Sequence, residues 1–189
     1  MNAKMNAKMN AKYLSPVLWL KLGAAGLFFG YLYVLVKIIL FKFGDVNVSL
    51  LGRLLLENAE QPRNIAYRWQ MANLTPLSSI RDNIALLPRG HDMINLFGNI
   101  ALFMPLGLFL GLLVGCRLPA VLFYSLSVSL ALESAQLILA MGSFDVDDLI
   151  LNTLGGALGY GLFAGMGLAR SRQPVAAGAK ERGGAAGPV

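Results

Sequence analysis

The chain has 189 residues, of which 56% are hydrophobic and only 14% charged, with a formal net charge of +6. Charged content this far below the roughly 25% of soluble domains excludes an ordinary soluble protein and points to a bilayer. The basic balance does not imply a nucleic-acid partner, because the lysines and arginines lie at the ends of apolar segments and form no single soluble patch.

Residues 1–16 open with three copies of the tetrapeptide MNAK and read as a disordered cytoplasmic leader. A helix needs about 20 mainly apolar residues to cross a bilayer. The first such segment is 17–41, too long for the apolar core of a signal peptide, with Lys21 and Lys37 able to snorkel outward. Residues 42–93 form a long outer loop. In it Leu51, Leu54 and Leu55 have helical spacing after Ser49, a suitable cap. Arg63, Tyr67, Arg68 and Trp69 have the amphipathic character of a membrane interface.

The second span is 94–114, with Pro105 expected to kink it by removing an amide donor. A short turn follows with Cys116, the sole cysteine, so neither an intramolecular disulfide nor a cysteine metal cluster can form. The third span, 119–140, begins with Pro119 in its first turn, where no donor is needed. The fourth is 149–169, and residues 171–189, rich in Gly, Ala and Pro, read as a disordered cytoplasmic tail. The expected fold is all-α: one polytopic domain over 17–170, a four-helix transmembrane bundle with an interfacial outer loop. Glycine pairs at GxxxG spacing (26/30, 107/111, 111/115, 155/159, 161/165) predict close helix contacts.

Four spans place both termini and the 116–118 turn on one side. That side holds Lys4, Lys8, Lys12, Arg117, Arg170, Arg172, Lys180 and Arg182, whereas the turn at 143–147 has no Lys or Arg. The positive side is the cytoplasmic one, so both termini are expected inside.

Polar residues then fall near the outer ends of three spans. Asn95 and Asn99 are one turn apart on the second. Glu133 and Gln136 share a face of the third, with Glu133 about 10 Å below its outer end at 1.5 Å per residue. Asp145, Asp147, Asp148 and Asn152 fill the turn into the fourth. Polar groups in hydrocarbon are costly unless they meet partners or water. These eight residues are therefore the candidate ligand-binding set. Amides in membrane helices often only bridge helices, and Asp147 or Asp148 suits a helix cap. A carboxylate at Glu133 must instead find a cation, take up a proton or line water. Glu133 and the sole histidine, His91, are the candidates for a catalytic general base; His91 also suits an interfacial loop. One histidine cannot build a multi-histidine metal site.

Four stretches in this order, Asn73-Leu-Thr-Pro-Leu, Asn95-Leu-Phe-Gly-Asn-Ile-Ala-Leu-Phe-Met-Pro-Leu-Gly107, Glu133-Ser-Ala-Gln136 and Phe144-Asp-Val-Asp-Asp-Leu-Ile-Leu-Asn-Thr-Leu-Gly155, resemble the VanZ-like membrane family. The resemblance covers about half of the chain, roughly 73–160, and the second and fourth stretches are the specific ones. In that family an arginine often stands where Gly142 does here, so one cationic partner for the acids is missing, with Arg81 or Arg89 as substitutes from the loop. The resemblance implies a bacterial plasma-membrane protein of the accessory teicoplanin-resistance type, altering access of a lipoglycopeptide to the cell surface.

The leading expectation is a binding module of the cell envelope, not an enzyme. Its outer-leaflet groove would hold a lipid-linked cell-wall precursor or the lipid tail of an antibiotic, with Phe97, Leu102 and Phe103 as apolar surface. One alternative is an intramembrane enzyme acting on a phosphorylated isoprenoid or phospholipid, with Asp145, Asp147 and Asp148 holding a divalent ion such as Mg²⁺. The other is a structural membrane protein whose polar residues lock helix packing.

Overall fold

The computed structural model describes residues 2–41, 46–85 and 90–167, with side chains described over 18–41, 46–85 and 95–167. Among the described residues seven α-helices follow one another: α1 (Asn2–Phe41), α2 (Val48–Glu60), α3 (Pro62–Gln70), α4 (Ser78–Ala85), α5 (Gly90–Phe109), α6 (Leu118–Ile138) and α7 (Val146–Gly165). The described residues contain no strand; an isolated parallel bridge joins Asn73 to Asp145. The tail expected at 171–189 lies outside the described residues.

Among the described residues, three helices are long and apolar enough to cross a membrane: Leu18–Phe41, Asn95–Val114 and Leu118–Ile138. They correspond to the first three expected spans within a few residues. The fourth expected span falls on α7, which has 20 residues but is not among the three. Asp147, Asp148, Asn152 and five glycines lower its apolar character. At the other end of the chain, α1 begins at Asn2 and takes in the MNAK repeat that was expected to be disordered. Ala, Met and Lys are all good helix formers, which suits a helical continuation of the span.

The described part of the segment between α1 and α5 is mostly helical. Helix α2 forms as the leucine spacing predicts, but its cap is Asn47, not Ser49: the Asn47 side chain accepts a hydrogen bond from the Leu50 amide at 2.9 Å. Helix α3 begins with Pro62 in its first turn, a position that wastes no donor. The side chain of Asn58, buried on α2, donates to the Ile138 carbonyl at the end of α6. Trp69 of α3 packs on Phe144 with ring centroids 5.7 Å apart. These contacts hold the segment between α1 and α5 against the C-terminal end of α6 and the turn before α7.

The bundle is organised around α5 and α7, whose backbones approach at glycines. A Cβ added at Gly155 would lie 2.3 Å from the Ile100 carbonyl oxygen, one at Gly159 1.8 Å from that of Met104, and one at Gly107 1.9 Å from that of Gly156. Only glycine permits this approach, which maximises dispersion contact where lipid gives no hydrophobic drive. The other expected pairs behave differently. Gly26, Gly30, Gly161 and Gly165 have open space around the missing Cβ, and Gly111 faces the Phe163 ring. Gly115 supplies the left-handed residue, φ 73°, that ends a π-helical turn over Leu110–Val114. Pro105, inside α5, cannot donate to the Ala101 carbonyl one turn back. The core between the helices contains Phe103, Leu106, Val121 and Leu132, with Leu35 from α1. Tyr31 of α1 donates its hydroxyl hydrogen to the Leu102 carbonyl at 2.8 Å. Apolar side chains such as Leu27, Phe123 and Leu162 point outward, as a lipid-facing surface requires.

Candidate functional site

The local order of the site starts at the turn between α6 and α7. Asp145 has extended backbone and caps α7, its side chain accepting from the Asp147 amide at 2.8 Å. Its backbone is paired with the outer loop: Asn73 donates its amide to the Phe144 carbonyl at 2.9 Å, and Val146 donates to the Asn73 carbonyl at 3.0 Å. The Asn73 side chain repeats the link, with Nδ2 donating to Asp145 Oδ1 and to Ser79 Oγ, both at 2.8 Å. Ser79 Oγ donates in turn to Asp145 Oδ2 at 2.7 Å. Both oxygens of Asp145 are therefore occupied by protein donors.

Asp147 is fully buried. Its two oxygens accept from the backbone amides of Leu77 and Ile80, amides at the start of α4 that have no partner within their helix. A carboxylate at a helix N-terminus is favoured by the helix dipole as well. Leu77 has φ 68°, an uncommon conformation for a branched side chain, and its amide is held by this acid.

The remaining acids lie between helices. Glu133, 2% exposed on α6, accepts from the Asp145 amide through Oε2 at 3.0 Å. Asp148 accepts from the Asn99 side chain on α5. Gln136 donates to the Ile39 carbonyl of α1 at 2.8 Å, and Asn152 donates to Ser129 Oγ at 2.9 Å.

These groups surround a cavity of about 930 Å³. Asn95, Asn99, Glu133, Gln136, Asp145, Asp148 and Asn152 all line it, from three helices and the turn; Asp147 does not. Ile38, Ile39, Ala101 and Leu102 form an apolar border from α1 and α5, and Asn83 and Ser79 border it from α4. Its volume and mixed lining are of the order seen for small-molecule sites. Of the apolar residues expected at the groove, Leu102 lines it, Phe103 is buried in the core and Phe97 is exposed.

The three aspartates proposed as metal ligands are not brought together. Asp145 is held by Asn73 and Ser79, Asp147 by α4 amides and Asp148 by Asn99. Among the described residues no group of three His, Cys, Asp or Glu side chains is placed to hold a metal ion. The side chains of His91 and Arg89 lie outside the described residues, and Arg81 is exposed. Gly142 lines the cavity, and a Cβ there would meet the Gln136 side chain at 3.2 Å.

Sequence reasoning missed Asn73, Ser79 and Asn83 as parts of this site. Asn73 stands in the first stretch that carried the family resemblance, which was the available signal. A family model described as VanZ/LLP1 matches residues 28–169, a range that contains every residue of the cavity. The chain has no significant match among curated proteins or solved structures.

Proposed function

The chain belongs to the VanZ/LLP1 family, and on that premise we propose that it is a multi-pass membrane protein whose recess binds an amphiphilic ligand of the bacterial cell envelope. In this reading α7 is a fourth span, both termini are cytoplasmic and the recess opens in the outer leaflet of the plasma membrane. The observation that carries the proposal is the one cavity that unites carboxylates and carboxamides from α5, α6 and α7 with an apolar border from α1 and α5. A mixed lining of this kind suits a molecule with a polar head and a hydrocarbon tail, since each part meets its own chemistry. A lipid-linked cell-wall precursor and the acyl tail of a lipoglycopeptide such as teicoplanin are the ligand classes that fit the family.

The role is binding without turnover. The metal-dependent enzyme has no observation in its favour, because the oxygens of Asp145 and Asp147 are taken up by donors of the fold. A purely structural role accounts for Asp147 but leaves a polar cavity of this size without a purpose.

The test is Glu133→Gln in a strain whose glycopeptide susceptibility depends on the protein. Normal abundance and insertion with loss of the susceptibility phenotype is the expected outcome. Unchanged susceptibility at normal abundance would count against a ligand role for the recess.

A further inference from the structure

At the buried end of the recess the polar atoms left over are acceptors, whereas Asn95 and Ser143, which also offer donors, line its exposed part. Nδ2 of Asn99 is turned onto Asp148, Nε2 of Gln136 onto the Ile39 carbonyl, and Nδ2 of Asn152 onto Ser129. Each of these three amide nitrogens thus donates to an acceptor of the protein. What remains beside them is acceptors. Asn152 is 3% exposed, lines the cavity, and its carbonyl oxygen Oδ1 has no hydrogen-bond partner. Glu133 is 2% exposed, lines the cavity, and accepts a single hydrogen bond, through Oε2. Asp148 uses Oδ1 for Asn99 and has no second donor among the described residues.

A buried acceptor without a donor carries a desolvation penalty that a ligand removes by supplying the donor. Three acceptors from α6 and α7, two of them carboxylates, ask for a group that has several N–H donors and positive charge. Among the described residues no lysine or arginine pairs with Glu133, Asp145 or Asp148.

We propose that the deep end of the recess takes the ammonium group of an amine-headed amphiphile, with its hydrocarbon chain leaving along the Ile38, Ile39 and Leu102 border. An ammonium has three donors and no acceptor, which matches the leftover atoms of Asn152, Glu133 and Asp148. A phosphate presents acceptors to acceptors and negative charge to carboxylates, and is disfavoured on both counts. The inference rests on the recess being a ligand site and names the head group that it selects.

Native mass spectrometry of the full chain, released from phosphatidylcholine nanodiscs, tests it. The nanodiscs are doped with equal amounts of hexadecylammonium, hexadecyl phosphate and hexadecyl glucoside, which share a tail and differ in head. The expected result is a saturating one-to-one hexadecylammonium adduct, enriched about tenfold or more over the phosphate, as about 1.4 kcal/mol of discrimination gives. Asp148→Asn, which keeps the Asn99 contact within reach, and Glu133→Gln should each lower that enrichment, whereas Asp82→Asn, an exposed acid of α4, should not. The comparison of the three probes on the unaltered chain decides the matter even where a variant inserts poorly. Saturating retention of the phosphate or the glucoside in place of the ammonium overturns the head-group assignment and leaves the recess as a ligand site. Saturation by none of the three overturns both. Retention of the amine that is equal in all variants overturns its placement in the recess.

Discussion

Asp147 and Leu77, 70 residues apart, are joined by a hydrogen bond from the Leu77 amide to the Asp147 carboxylate. The second oxygen of the same acid holds the Ile80 amide at 3.0 Å. One buried side chain of α7 therefore fastens the start of α4, whose Ser79 and Asn83 line the recess. The acid that the sequence offered as a ligand is a clamp of the fold.

Asp147→Ala should accordingly destabilise the chain. It removes two part-buried hydrogen bonds from backbone amides to a charged acceptor, each worth about 1.5–3 kcal/mol. Thermal unfolding in detergent would show the loss, and amide exchange would rise first over residues 77–85. Asp82→Asn, exposed on α4, should change stability by less than about 0.5 kcal/mol. Equal, small effects of both variants would remove the clamp.

The contact of α5 with α7 makes a sharp comparison between two glycines of one helix. Gly159→Ala puts a Cβ 1.8 Å from the Met104 carbonyl oxygen, whereas Gly161→Ala meets nothing within 4 Å. The first should cost about 1–3 kcal/mol or more through overpacking. The second should be neutral or stabilise by up to about 1 kcal/mol through helix propensity. The unfolding temperatures of the two variants, measured in the same detergent, check this directly; matching values would mean that α5 and α7 do not meet at these carbonyls.

Four spans with both termini inside put the 142–145 turn at the outer surface. In a Cys116→Ser background, Ser143→Cys should react with a membrane-impermeant thiol reagent in intact cells, and Cys116 in the unaltered chain should react only after the inner face is opened. The reverse pattern would invert the topology, and labelling of both from outside would remove α6, the helix between them, as a span.

Much of the site could be read from residue spacing, because helical periodicity fixes which polar side chains share a face. Asn95 with Asn99, and Glu133 with Gln136, were visible in that way, and seven of the eight expected residues line one cavity. Spacing carries no information on which face meets which helix. The withdrawal of Asp147 from the cavity depends on α4, and α4 reaches it through contacts 67 and 70 residues distant in the chain. The tie of Asn73 to Asp145 spans 72 residues and is equally invisible to local pattern. Local rules also misjudged two helix starts. Asn47 outcompeted Ser49 as the cap of α2, and α1 runs back to Asn2 because good helix formers extend an established helix at little cost. Of the glycine pairs, those facing another backbone pack closely and those on open faces do not, a distinction that the GxxxG spacing alone cannot make.

The most direct measurement is native mass spectrometry of the chain extracted from its own membranes, beside Glu133→Gln prepared in the same way. One amphiphile retained at one copy per chain, and lost from the variant while the variant stays folded, is the expected result. A wild-type chain that carries only bulk lipid in bulk proportions, or a retained molecule that Glu133→Gln holds equally well, would contradict a ligand-binding recess.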